Sequence, residues 1–359
     1  MLEKMNDVLL QSILLEDNAT IKSGEGLEDF LNSFDEEKLF KFIAPYASME
    51  VSDKNDANYF DEISKSKEKL VNYITDNFKD ILEFYVTVFE KDELEFVKEL
   101  ASKSGNITFS IHKPKVSLKF VLFMKEFAFS KVYFDETSEK VTIFIPSEYA
   151  DSLRKSLNNK DVLERNKIFN NVCDAVIGMA SAYAVIPFED MYDMLKEFFD
   201  LSEEEVLFIV EIKSLIDEVI NVNFYKDTVY VSSIEFPTEE DAYSFYKGTK
   251  GKYRKFSQEE LIALRNDSYL EMLPSYKNFY NYLNDNYDIK DDASFEICKI
   301  FLIEDFLVGA QYDEKNTKEQ FMRDIDEFFI MNETEKKEAY RLMHLVYDDY
   351  PKWIKRGNK

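Results

Sequence analysis

The sequence predicts a mainly α fold with small β-hairpins: winged-helix-like units followed by a C-terminal helical domain. Three observations carry this expectation. Apolar residues recur at helical spacing, as in Leu70, Ile74, Phe78, Leu82 and Tyr85. Twice, at 132–145 and 222–231, the pattern switches to alternation around a polar turn, which signals a hairpin. With only 8 Gly and 7 Pro in 359 residues, long irregular stretches are not expected.

Length alone favours two or three domains. Residues 1–66 read as an N-terminal helical region and linker. Leu9, Leu10, Ile13 and Leu14 share one helical face, and Leu27–Pro45 forms a second apolar run that Pro45 ends. Residues 46–66 are polar and acid-rich. Residues 67–157 read as a helical unit with a hairpin. Asp92 and Glu93 open one of its helices, Gly105 closes it, and Leu118–Phe129 forms another. Val132–Phe134 and Val141–Ile145 flank the turn Asp135–Lys140.

Residues 158–236 repeat this order in better detail. Ile168, Val172, Val176 and Met179 line a first helix. Val185-Ile186-Pro187 is extended, because the residue before a proline is pushed out of the α region. Phe188, Met191, Leu195, Phe198 and Phe199 mark a second helix. Ser202 and Glu205 form a capping box at the start of a third. A hairpin follows, Val222–Tyr225 and Thr228–Val231, turning at Lys226-Asp227. The pattern suggests a loose internal duplication.

Residues 237–256 form a basic aromatic linker: Lys247, Lys250, Lys252, Tyr253, Arg254 and Lys255, with Tyr243, Phe245, Tyr246 and Phe256 interleaved. Residues 257–359 are the helical domain. Ser257 with Glu260 and Asn332 with Glu335 are capping boxes. Ala293–Val308 is apolar on nearly all sides and reads as a buried helix stopped by Gly309.

Chemistry is hard to find. Catalysis by an activated nucleophile needs a base, usually His, and the chain has only His112 and His344, neither with a partner pattern. Cys173 and Cys298 sit singly in apolar runs and read as small buried hydrophobes. The acidic runs at 53–58 and 285–292 miss calcium-loop positions, and Gly248–Gly251 lacks the frame of a phosphate loop. Dense carboxylates could still act as acid and base, but pairs arise by chance among 71 acidic residues. The expectation is no enzyme, no cofactor, no metal site and no catalytic residues.

Charge narrows the partners. The 71 acidic and 45 basic residues give a net charge of −26, which repels nucleic acid unless cations are locally concentrated. The third helix of the 158–236 unit opens with Glu203, Glu204 and Glu205, so it would face phosphates with like charge. The basic aromatic cluster suits single-stranded nucleic acid, where bases stack and phosphates are neutralised. It competes with a plainer reading, in which those cations pair with neighbouring acids. The apolar stretches are too short to span a bilayer, and the N-terminus lacks a signal-peptide core. A cytoplasmic location without a membrane partner is therefore expected.

The segments Asp92–Gly105, Lys131–Tyr149, the 166–231 unit, Lys252–Leu264 and Leu342–Lys359 resemble a family of uncharacterised bacterial proteins. These join a helical region, likened to the N-terminal domain of Rho termination factor, to a C-terminal SEC-C zinc motif. The Trp353–Gly357 spacing is the most telling element, since such an end commonly precedes that motif. The chain holds no matching Cys set, so no zinc ligand carries over, and the family supplies no catalytic residues. The resemblance implies architecture alone. The functional expectation is a non-enzymatic protein-interaction or regulatory protein. Alternatives are a nucleic-acid-associated regulator using 247–256, and an acidic DNA-mimic inhibitor.

Overall fold

The computed structural model describes residues 14, 20–22, 24–50, 62–217, 219–236, 238–266, 268–286, 303, 305–329 and 331–359. It is mainly helical with two small antiparallel sheets, and divides into units 1–171 and 172–359. Of the expected first helix only Leu14 lies among these residues, and it is buried. Cys298 and most of the apolar run 293–308 lie outside them.

The first unit contains α1 (Leu27–Asn32), α2 (Glu36–Glu50), α3 (Lys67–Asp76), α4 (Phe78–Val88), α5 (Lys91–Ser102) and α6 (Leu118–Glu126). Its strands are β1 (Asn106–Ser110), β2 (Lys131–Asp135) and β3 (Lys140–Phe144), followed by α7 (Ser147–Ser156). The core gathers around Tyr85. Its ring stacks on Phe42 at 5.2 Å and meets Phe129 edge-on at 5.4 Å. Its hydroxyl donates to the Phe42 carbonyl at 2.7 Å, which satisfies the one polar atom of a buried ring. Burial pushes this phenol's pKa far above its ordinary value.

Strand alternation does the same work in the sheet, whose order is β1-β3-β2. Ile107, Ile143 and Val132 are opposite one another, as are Phe109, Val141 and Phe134, and all six are buried on one face. The other face carries Thr108 and Thr142, hydroxyl to hydroxyl at 2.9 Å. Gly105 precedes β1 at φ +81°. A Cβ there would meet the Ile145 carbonyl oxygen at 2.1 Å, so the position demands glycine. Asn166 closes the end of α4, donating to the carbonyls of Val86, Thr87 and Phe89 at 2.7–3.0 Å.

The long helix α8 (Lys160–Tyr183) carries the chain into the second unit. There β4 (Val185–Pro187), α9 (Phe188–Leu195), α10 (Glu203–Asp217), β5 (Ile220–Tyr225) and β6 (Thr228–Ser233) follow in order. The sheet order is β4-β6-β5. Ser202 and Glu205 cap α10 reciprocally at 2.7 and 3.2 Å. Lys226 and Asp227 both have positive φ, 49° and 62°, the backbone of a two-residue hairpin turn. Ile220, Ile186 and Val231 are buried on one face, where α9 and α10 pack. Val185 and Tyr230 lie on the other, beneath α11 (Glu239–Gly248) and Trp353.

The rest is helical: α12 (Gln258–Arg265), a 3-10 turn at Ser268–Met272, α13 (Pro274–Asn286), α14 (Asp305–Phe328) and α15 (Glu333–Asp349). Capping boxes form at Ser257/Glu260 and Asn332/Glu335. Phe306 packs against Phe321 at 5.3 Å and Tyr347 at 6.0 Å. The last regular element is a 3-10 turn, Trp353–Lys355.

Three boundaries depart from expectation. Pro45 does not stop α2 but lies inside it, and Tyr46 and Ala47 beyond it are buried. The apolar contacts there outweigh the lost backbone bond. Gly309 lies within α14 rather than ending a helix. Half of the expected linker 237–256 is α11, whose Thr238 hydroxyl accepts from the Asp241 amide at 3.1 Å.

Candidate functional site

The basic aromatic segment occupies the end of α11 and an extended run to Ser257, and its cations meet different fates. Lys255 pairs with Glu197, and Arg254 reaches Glu260 at 2.9 Å while its guanidinium covers Phe256 at 4.3 Å. Tyr253 is half-buried. Its ring packs edge-on to Tyr183 at 5.1 Å and lies under the Arg356 guanidinium at 4.7 Å, so the face beneath Arg356 is closed to a base. Burial raises its phenol pKa well above the ordinary value. Lys247, Lys250 and Lys252 are exposed, and among the described residues no carboxylate pairs with Lys250 or Lys252.

The last residues of the chain hold this run in place. The Lys250 amide donates to the Ile354 carbonyl and the Arg254 amide to the Arg356 carbonyl, both at 3.0 Å. Asn358 donates to the Lys252 carbonyl at 2.7 Å, and Arg356 to the Thr249 hydroxyl at 3.0 Å. Trp353 is buried and donates its indole N–H to the Ser181 carbonyl at 2.8 Å. Gly357, at φ +77°, lies against Tyr183 and Phe256, where a Cβ would come within 2.7 Å of the first ring. This gives the Trp353–Gly357 spacing a physical basis in this chain.

A second group forms at the β5–β6 turn. The Lys226 ammonium lies 4.6 Å from the Tyr243 ring and 5.0 Å from Tyr225, and Lys247 lies 5.2 Å from Tyr243. The hydrogen bond from Lys247, with the charge of Lys226, lowers the Tyr243 phenol below its ordinary pKa. The meeting of Lys226 with Tyr243 was not legible from sequence, because it depends on α11 folding back onto the β5–β6 hairpin.

Exposed apolar residues lie at both ends of the same hairpin and on both of its faces. Phe224 is 58% exposed, Ile234 55% and Leu215 53%, and Val219 is also open. Continuing the β5–β6 register past Ile220 and Ser233 sets Val219 opposite Ile234. Strand β5 is the outer strand of its sheet. Exposed Glu203, Glu204 and Glu205 stand at the start of α10, and exposed Glu235 follows Ile234. Glu211, half-way along α10, has its pKa raised by desolvation.

The histidines make local pairs: His112 with Glu139 at 3.0 Å, and His344 with Asp348 at 3.2 Å, one helical turn away. Among the described residues no three His, Cys, Asp or Glu side chains are grouped to hold a metal, and no helix is long and apolar enough to cross a membrane. No family model matches the chain, and neither a curated protein nor a solved structure does.

Proposed function

We propose that the chain is a non-enzymatic protein-interaction or regulatory protein. Its second unit is a winged-helix-like module that receives a partner protein having an apolar centre and a basic rim. The element order from α8 to β6 and the sheet order β4-β6-β5 support the winged-helix comparison. The observation that carries the reading is the exposure of four large apolar side chains, Leu215, Val219, Phe224 and Ile234, on or beside α10 and the β5–β6 hairpin. In a DNA reader, α10 and the hairpin would present cations to phosphates. Here the start of α10 is Glu203-Glu204-Glu205, which repels them. Charge complementarity therefore selects a basic protein.

A photo-crosslinker at position 224, introduced into the full chain in its native cell, tests this. The expected product is one stoichiometric adduct with a basic protein. Reconstituted with that purified protein, Leu215→Ser/Phe224→Ser binds roughly thirtyfold more weakly, the effect of losing an interface anchor. An adduct unchanged by the double substitution, or tight duplex binding by the purified chain, would overturn the proposal. A second reading rests on Lys226, Lys247, Lys250 and Lys252, which stand exposed or on aromatic faces around the hairpin turn. It assigns single-stranded nucleic acid to that surface. Low-salt binding that survives replacement of all four lysines by alanine removes it.

A further inference from the structure

Strand β5 leaves one side of its backbone open. The two-residue turn Lys226-Asp227 makes Tyr225 and Thr228 a hydrogen-bonded pair, and bonded and non-bonded pairs then alternate along the hairpin. Tyr225, Asn223 and Asn221 therefore bond to β6, while Phe224, Val222 and Ile220 turn their amides and carbonyls outward. Two contacts agree with this phase. The Ile220 carbonyl accepts from the Ser214 hydroxyl at 3.0 Å. Opposite Ile220, the Ser233 amide donates away from β5, to the Ala184 carbonyl at 2.8 Å. The outward amides and carbonyls of Val222 and Phe224 have no hydrogen-bond partner among the described residues.

Such an edge is a template for another strand, and native sheets guard it with charges, proline or a bulge. Residues Ile220–Tyr225 contain no charge and no proline, and they pair with β6 one to one, without a bulge. The strand's own sequence identifies the occupant. When a second β5 runs antiparallel with Val222 opposite Phe224, each outward amide of these residues meets an outward carbonyl of the other copy. The same register sets exposed Phe224 beside the half-buried Val222 of the second copy, and the reverse, on one face of the sheet. A two-fold axis at Asn223 relates the copies, so one surface serves both. The register centred on Val222 would instead call on the Ile220 carbonyl, which Ser214 already engages.

We propose that two copies of the chain pair antiparallel through β5, with Val222 of each against Phe224 of the other. Because it covers Phe224, the pairing closes the surface assigned above to a basic partner; that consequence alone rests on the partner reading. Sedimentation of the purified full chain tests the pairing. The expected result is a reversible dimer that added sodium chloride strengthens, since each copy carries a net charge of −26 and salt screens their repulsion. A basic partner would be released by salt, so the two associations are told apart. Val222→Pro removes an outward amide and no ladder bond, and should weaken the dimer at least tenfold while the circular dichroism stays that of the wild type. A second pair of variants fixes the register should that one misfold. Val222→Lys/Phe224→Lys and Val222→Glu/Phe224→Glu should each be monomeric alone and form a dimer when mixed. The pairing is overturned if the wild type stays monomeric up to about 1 mM, where any association is negligible. A folded Val222→Pro chain that dimerises as the wild type does, or a Lys and Glu mixture that stays monomeric, also overturns it. A monomeric wild type that still gives the crosslinked basic adduct would remove the pairing and leave the partner reading intact.

Discussion

In each unit a helix ends at a residue of left-handed backbone and enters a strand: Gly105 after α5 in the first, Ala184 after α8 in the second. Each of these residues accepts a 2.8 Å bond from the amide just past or at the end of the third strand, Ile145 and Ser233. The sheets share the order first-third-second. They differ in what completes them. One helix joins the first two strands in the first sheet, and two helices do so in the second. The hairpin loop spans Glu136–Glu139 in one and only Lys226-Asp227 in the other. The first sheet leaves Tyr133 and Thr108 exposed, while the second is roofed by α11. A shared strand plan therefore leaves the surfaces free to diverge: the first sheet keeps an open face with Thr108 and Tyr133, and the second carries α11 on one of its faces.

The largest contrast lies in charge burial. Removing one member of a buried pair strands the other, so Lys131→Met should cost the first unit about 3–5 kcal/mol in urea denaturation. Arg254→Met breaks a partly exposed pair in the second unit and should cost only about 1 kcal/mol. Equal losses would erase the distinction. Next comes the shared left-handed position. Gly105→Ala collides with the Ile145 carbonyl and should cost roughly 3 kcal/mol, whereas Ala184→Gly should change stability by less than about 1 kcal/mol.

The two buried tyrosines are matched. Tyr85→Phe and Tyr183→Phe each lose a hydroxyl bond to a distant carbonyl, at 2.7 and 2.6 Å, and should each cost about 1 kcal/mol. Only the second should raise amide exchange across 250–256, since Tyr183 holds Arg254. Replacing Lys226-Asp227 with Asn-Gly should stabilise the second unit by about 0.5 kcal/mol, because that pair adopts positive φ more readily. The smallest effect is local to one ring. Ultraviolet titration should show Tyr243 ionising below the ordinary phenol range, and Lys247→Met should move it back up.

Much of the architecture was legible because local rules and tertiary packing agree. Ser202/Glu205, Ser257/Glu260 and Asn332/Glu335 marked helix starts, and the alternation in 222–231 marked a hairpin. Pro45 misled because burial of Tyr46 and Ala47 overrode the local preference. Within 238–256 the same kind of cap signal, Thr238 with Asp241, starts α11 just ahead of the lysines. The fate of the cations was not legible at all. Glu197, which pairs with Lys255, is 58 residues away in sequence, and the buried ion pair of Glu25 with Lys131, at 2.6 Å, joins residues 106 apart. Such meetings depend on topology, and no window along the chain contains both partners.

The tie between Trp353 and Ser181 spans 172 residues. During synthesis the first unit has all its own residues once position 171 has emerged. The second must wait for positions 353–357, because Trp353, Arg356 and Gly357 complete its packing. Until then Tyr230, Phe236 and Phe245 lack part of their cover, and the nascent second unit leaves aromatic surface open to wrong contacts.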